Sequence, residues 1–377
     1  MRPTASGGPM PPGAPPEAPL KAPDAQRGRR QRAPGRGLSM GALRGARAGV
    51  SLVQARLRRT WDGRRRMGEA VDLLPSILRE VVAQSDVAEA ADWALQASHL
   101  SGTHVVVLMV GSPGQPPAAV VKIPSTSEGV ASQRREAEAL AALRSEPSLG
   151  DLAALIPGRL AEGEVAGIAY TVERAVPGVE GRVLLGDPAM RDRVVAAAAG
   201  VIRRLHRATA TTAVVDDELL ERWVGSRVRL LAPATRNAPA LERLERLLRR
   251  AWEGRSVDVA WVHGDYWPAN VIFDPALAVT GIIDWEWAAP RELPAHDLLY
   301  LAIHLRMLAE GRELGPVVQS LLESDAVQTG ELVSGADRET VLLVWLRHVA
   351  YNLTQSPGDA RNWIWTSRNV DSVLRAL

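Results

Sequence analysis

Trp261-Val262-His263-Gly264-Asp265-Tyr266-Trp267-Pro268-Ala269-Asn270, followed by Val279-Thr280-Gly281-Ile282-Ile283-Asp284-Trp285-Glu286, decides how this chain is read. The pattern runs apolar strand, polar loop, short strand, turn, second strand, acidic end. Asp265 and Asn270 are five apart in a loop that contains Pro268, and Asp284 ends the apolar run Gly281-Ile282-Ile283, nineteen residues after Asp265. These are the parts of a phosphoryl-transfer site. One carboxylate takes the proton of a hydroxyl, while an Asn oxygen and a second carboxylate hold Mg²⁺ against nucleotide phosphates. Mg²⁺ is a hard cation that takes few protein oxygens and completes its shell with phosphate and water.

The H-G-D-x-x-x-x-N loop from His263 to Asn270, with the strand-ending Asp284, resembles the aminoglycoside phosphotransferase family. Choline-kinase-like and other small-molecule kinases share the pattern. The resemblance implies an α+β, bilobal, protein-kinase-like fold with a small β-rich N-lobe and a larger, mostly helical C-lobe. It implies transfer of the ATP γ-phosphate to a hydroxyl of a small-molecule acceptor. On that basis Asp265 is the catalytic base, and Asn270 and Asp284 are the Mg²⁺ ligands. His263 and Gly264 shape the loop. Glu286 lies on the same side of an extended segment as Asp284; it either assists the metal through water or faces solvent.

Composition bounds the rest. With 46% apolar and 23% charged residues, the 377-residue chain has the make-up of a soluble globular protein. Cysteine is absent, which excludes disulfides, thiolate zinc sites and Cys nucleophiles and fits a reducing, cytoplasmic compartment. No apolar run reaches the length of a membrane span, and no secretory signal is visible. The net charge of +2 hides a split: residues 1–66 carry 15 Lys+Arg and 3 Asp+Glu, which leaves 30 basic and 40 acidic residues beyond. Residues 1–67 read as a disordered basic tail rich in Pro, Gly and Arg, whose single aromatic, Trp61, falls short of the interleaved set that nucleic-acid binding wants. Residues 68–173 are then the N-lobe and 174–377 the C-lobe. An acidic body is compatible with a cationic acceptor.

The chain has only two lysines, Lys21 and Lys122, against 43 arginines. A Lys kept in the folded part points to a place where a compact ammonium is wanted and a planar fork is not. Lys122 lies among valines in the second strand of a hairpin, Val105 to Val110 and Ala118 to Ile123. A buried Lys there needs an anion, and the resemblance puts it on the nucleotide phosphates. The following helix offers Glu136 as its partner, with Glu138 as the competing choice. Ser101, Gly102 and Thr103, in a turn over 98–104, are the candidates for covering the phosphates. The strand Ile168 to Val172 runs into a hinge at Arg174 to Val176, whose backbone would meet the purine edge.

Asp187-Pro188 reads as a helix start for 189–208, and helices are expected over 70–82, 216–231, 239–252, 338–353 and 361–376. Asp297 can cap the helix it opens, and the resemblance has it brace the catalytic loop. His206 and His296 read as packed histidines. Trp267, Trp285, Trp287, Trp345, Trp363 and Trp365 could floor a cleft for an apolar or cationic acceptor, or pack the core. Two other readings stand beside the kinase. One is a metal-dependent phosphohydrolase built on His263, Asp265, Asp284, Glu286 and His296, which leaves Lys122 and Asn270 without work. The other is a non-catalytic, kinase-like ATP-binding protein, suggested by the single glycine in the phosphate loop.

Overall fold

Five antiparallel strands form the N-lobe sheet: β1 (Ala94–Ser101), β2 (Val105–Gly111), β3 (Ala119–Pro124), β4 (Arg159–Val165) and β5 (Ile168–Arg174), in the order β1-β2-β3-β5-β4. The computed structural model describes residues 65–85, 87–101, 105–323, 332, 336–355 and 358–377. The tail through residue 64 and the candidates Gly102 and Thr103 lie outside the described residues. Helix α1 covers 65–84, so residues 65–67, assigned to the tail by composition, belong to its first turn.

Period-two alternation sorts the faces of this sheet. Val106, Leu108, Val110, Val121 and Val172 point to one side and meet Leu74, Ile77 and Val81, which recur at helical spacing on α1. Lys122, Thr171 and Glu173 belong to the other side, since Val107 pairs with Lys122, Lys122 with Thr171, and Val120 with Glu173. Helix α2 (Ser127–Arg144) is started by Thr126, whose hydroxyl accepts from the Gly129 amide at 3.1 Å. It is tied to the sheet by Gln133, whose side-chain amide donates to the Lys122 carbonyl at 2.7 Å.

In the C-lobe the strands are β6 (Val179–Glu180), β7 (Thr211–Val214), β8 (Ser256–Val262), β9 (Val271–Phe273), β10 (Val279–Ile282) and β11 (Ala289–Glu292). They make two small sheets, β10-β9-β6 and β11-β8-β7. The long helices are α3 (Pro188–Thr209), α4 (Ala238–Trp252), α5 (Ala295–Glu310), α6 (Leu314–Leu322) and α7 (Arg338–Gln355). Asp187 starts α3 as its sequence predicts: Pro188 takes the first position and the carboxylate accepts from the Ala189 amide at 2.9 Å. Trp223, Trp345 and Leu244 fill the helical core. A further cluster joins the lobes, with Leu140 and Leu143 of α2 packed with Ile202, Tyr266, Phe273 and Trp285. The fold is thus bilobal, a β-rich N-lobe on a mostly helical C-lobe.

Two local expectations change. Residues Ala94–Ser101 are a full strand, where the sequence reads as a turn from 98, because Ala94 to Ser101 pairs along β2. The 216–231 and 361–376 helices are each broken by a π turn, at Glu221–Gly225 and Ser367–Asp371. Trp345 is a core residue, fully buried with its indole N–H on the Asn369 carbonyl at 2.9 Å, while Trp363 is exposed.

Candidate active site

Lys122 leaves the cleft face of β3 with only 8% of its surface exposed. Its Nζ lies 2.7 Å from Glu136 Oε1 and 2.8 Å from Oε2. Glu138 is exposed, so α2 presents Glu136 alone to the ammonium. Two more carboxylates reach the same nitrogen, Glu173 at 3.2 Å and Asp284 at 3.4 Å. Burial works against the charge on Lys122, but the three carboxylates hold its pKa well above the ordinary value. Burial and the charge of Glu173 push the Glu136 carboxyl up, against the pull of Lys122. Glu136 also accepts from the Trp285 amide at 3.2 Å, which ties α2 to the residue after Asp284.

The catalytic-loop candidate follows β8. Gly264 has φ +86, and a Cβ there would run into the Trp287 carbonyl and the Arg347 guanidinium. Arg347, from α7, donates to the Gly264 and Trp287 carbonyls at 2.8 Å each. Asp297, fully buried, accepts from the amides of His263 and Gly264 at 2.8 Å and meets His206 Nε2 at 2.9 Å. It therefore braces the loop and does not cap its own helix, whose N-cap position is Pro294. Burial opposes the Asp297 charge, yet these hydrogen bonds hold its pKa below the usual value. The His263 ring turns inward: Nε2 is 2.8 Å from the Ile283 carbonyl, and Nδ1 accepts from the Asp265 amide at 3.3 Å. That fixes the Nε2–H tautomer, and burial keeps the ring neutral by lowering its pKa.

Asp265 is half-buried in this loop. Burial first, then repulsion from Asp284 and Glu286, pushes its carboxyl up to about 7. Asn270 directs its side-chain nitrogen to the Asp265 carbonyl at 2.9 Å and to Oδ2 at 3.2 Å, and Tyr300 donates to the same carboxylate. The Asn270 oxygen is thereby the atom left for a cation. Asp284 adopts φ +62 and keeps nearly half of its side chain exposed. The cleft holds more carboxylate than ammonium, an imbalance that a divalent cation on oxygen ligands would correct.

Glu286 is an interlobe brace. It accepts from Gln355 at 2.8 Å, from the Tyr351 hydroxyl at 3.4 Å, and from Ser132 of α2. Behind it a buried ion cluster holds the β11 end. Arg227 meets both oxygens of Glu292 at 2.9 and 3.0 Å, and His296 Nε2 lies 3.2 Å from the same carboxylate. Neither His263 nor His296 is turned toward Asp265 and Asp284 as the phosphohydrolase reading requires. Among the described residues no group of three or more His, Cys, Asp and Glu side chains could hold a metal ion.

The structure thus brings together Lys122, Glu136, Asp265, Asn270 and Asp284. Ser101 ends β1, on the strand that leads into the phosphate loop. At the hinge, the Arg174 amide is taken by the Gly158 carbonyl at 2.7 Å and the Ala175 amide by Ala118 at 3.0 Å. The Arg174 N–H therefore does not serve a purine, and Val176 is the next residue along. Its side chain packs so closely on Gly281 that a Cβ there would not fit. Glu173 and Arg347 are missing from the sequence reading. Each carried a signal, a charge at the end of the apolar strand Ala169 to Val172 and a charge inside the apolar run Val341 to Ala350.

The model of the phosphotransferase enzyme family matches residues 97–328, more than half of the chain. The chain belongs to this family. The family match spans both lobes and includes Lys122, Glu136, Glu173, Asp265, Asn270, Asp284 and Glu286, while Arg347, Tyr351 and Gln355 lie beyond it. No curated protein matches in sequence. Among solved structures, the phosphotransferase is similar to an aminoglycoside-3'-phosphotransferase of type VIII, at 23% identity over 68% of this chain and 93% of that one, TM-score 0.43. It is also similar to an ethanolamine kinase of Plasmodium vivax, at 13% identity over 80% and 85%, TM-score 0.47. A choline kinase of Streptococcus pneumoniae gives 12% over 74% and 94%, TM-score 0.44. Among the described residues, no helix of this phosphotransferase is long and apolar enough to cross a membrane.

Proposed function

We propose that this small-molecule phosphotransferase is ATP- and Mg²⁺-dependent and moves the γ-phosphate to a hydroxyl of its acceptor. The observation that carries the reading is the cleft itself. One buried ammonium, 2.7 Å from Glu136 and 3.4 Å from Asp284, stands in the same acidic cluster as a carboxylate pushed up to about 7. Lys122, held by Glu136, binds nucleotide phosphates. Asn270 and Asp284 supply the oxygens for Mg²⁺, which when bound neutralises charge on the phosphates. Asp265 orients the acceptor hydroxyl and takes its proton as the acceptor oxygen bonds to the γ-phosphorus. The bond from that phosphorus to the bridging oxygen breaks, and ADP leaves with the electron pair.

A pKa close to neutrality suits a general base at physiological pH. Tyr300 and Asn270 fix the direction of the Asp265 carboxylate, so catalysis is mainly positioning and charge neutralisation. In this reading residues 68–173 hold the phosphates, 174–377 hold the acceptor, and the tail takes no part in the chemistry. The test is ADP release from Mg-ATP by the full-length chain. Release that rises with an added hydroxyl compound supports the proposal. Ester hydrolysis without ATP would refute it, and so would tight Mg-ATP binding with no turnover over a broad acceptor panel.

A further inference from the structure

We propose that the acceptor is an uncharged, polyhydroxylated ring compound of the sugar or cyclitol type, bound by the phenols and imidazoles of Tyr300, His304, His348 and Tyr351. This rests on the reading of Asp265 as the base. The wall starts at that residue, because the Tyr300 hydroxyl donates to the Asp265 carboxylate. From there the rings are continuous: Tyr300 to His348 at 4.1 Å, Tyr300 to His304 at 5.3 Å, and His348 stacked on Tyr351 at 5.5 Å between centroids. The Nδ1 atoms of His304 and His348 are buried and have no partner among the described residues. Unmet buried polar atoms are costly and mark sites that a ligand or a rearrangement completes.

The chemistry of the wall selects against a cation. Burial lowers the His304 and His348 pKa values to about 4 and about 3, so both rings are neutral at physiological pH. A neutral imidazole donates and accepts, and the phenols, whose protons go to Asp265 and Glu286, accept; the hydroxyls of an acceptor can meet both kinds of group, whereas an ammonium can use only the acceptors. The two indole faces at the wall, those of Trp287 and Trp267, are already taken by cations. Arg135 lies over Trp287 at 4.6 Å and Arg182 over Trp267 at 6.0 Å. These two guanidiniums stand at the two ends of the wall, where they repel a polyamine. Glu286, the carboxylate to which Tyr351 donates, is already bonded to Gln355 and Ser132 as well.

The experiment is acceptor-dependent ADP release at pH 7.5 with the full-length chain and Mg-ATP. Glucose, ribose and myo-inositol are compared with kanamycin, streptomycin, choline and ethanolamine. The expected result is turnover with at least one of the three polyols and none with the cations. On the productive polyol, His348→Leu raises the acceptor KM at least tenfold while the ATP KM and kcat stay within about twofold. His348→Gln, which keeps a neutral donor and acceptor, recovers most of that loss. Turnover with kanamycin, streptomycin, choline or ethanolamine but no polyol overturns the acceptor class and leaves phosphoryl transfer standing. No turnover with any compound overturns both. An unchanged polyol KM in His348→Leu overturns the role of the wall.

Discussion

Asp265→Asn is expected to make the protein more stable while abolishing transfer, and the gain is expected to depend on pH. The carboxyl sits at about 7 against an ordinary value of 3.8, chiefly through burial and then through Asp284 and Glu286. Below pH 3.8 the side chain is protonated in both states and the penalty is absent. As pH rises toward 7 the unfolded chain releases the proton while the folded protein retains it, so stability is lost across that window. The full shift corresponds to about 4 kcal/mol at pH 8, at about 1.4 kcal/mol per unit. Solvent on the open side of the cleft reduces this to about 2 kcal/mol. At about 2 °C per kcal/mol for a domain of this size, the variant melts about 4 °C above the wild type at pH 8. The assay is a pair of calorimetric melts without nucleotide, in chelator, at pH 5 and pH 8. The gain at pH 5 is expected to be less than half of that at pH 8. A variant that melts below the wild type at pH 8, or a gain independent of pH, refutes the reasoning. Near-normal turnover in the variant refutes Asp265 as base.

Two further substitutions probe the frame around the loop. Gly264→Ala combines a left-handed φ with a collision against Trp287 and Arg347; it is expected to cost about 2–3 kcal/mol and to cut turnover at least tenfold, read from melts and ADP release. Wild-type stability there would remove the argument for the close approach. Glu292→Ala leaves Arg227 and Arg347 buried without their carboxylate and is expected to lower the urea midpoint by the equivalent of about 3–5 kcal/mol. A loss under about 1 kcal/mol would mean that the cluster is solvated, as surface pairs are.

The parts of the site that the sequence made legible are those fixed locally. Asp265 and Asn270 are five apart in a loop, so one Pro-containing turn joins them. Lys122 stood out because the chain uses arginine nearly everywhere else, and a strand of valines gave it one face. Choosing Glu136 over Glu138 needed the rotation of α2, which its cap and the Gln133 bond set and which period alone does not. Asp297 had two local readings, cap and brace, and the distant amides of His263 and Gly264 decided between them. Arg347 and Glu173 escaped because their partners lie far away in sequence, at Gly264 and Lys122. In the fold, apolar runs on either side of a Gly-Ser-Pro-Gly turn found β2 and β3, and alternation found β5. β1 and β4 were missed since their polar and small residues form strands only when a neighbouring strand pairs with them.

The most direct test of the cleft is calorimetric titration of Mg-ATP into the full-length chain and into Lys122→Ala. One site on the wild type, weakened at least tenfold in the variant and dependent on Mg²⁺, is the predicted result. Equal affinity in the two proteins, or binding indifferent to Mg²⁺, would contradict the claim that Lys122, Asn270 and Asp284 form one nucleotide site.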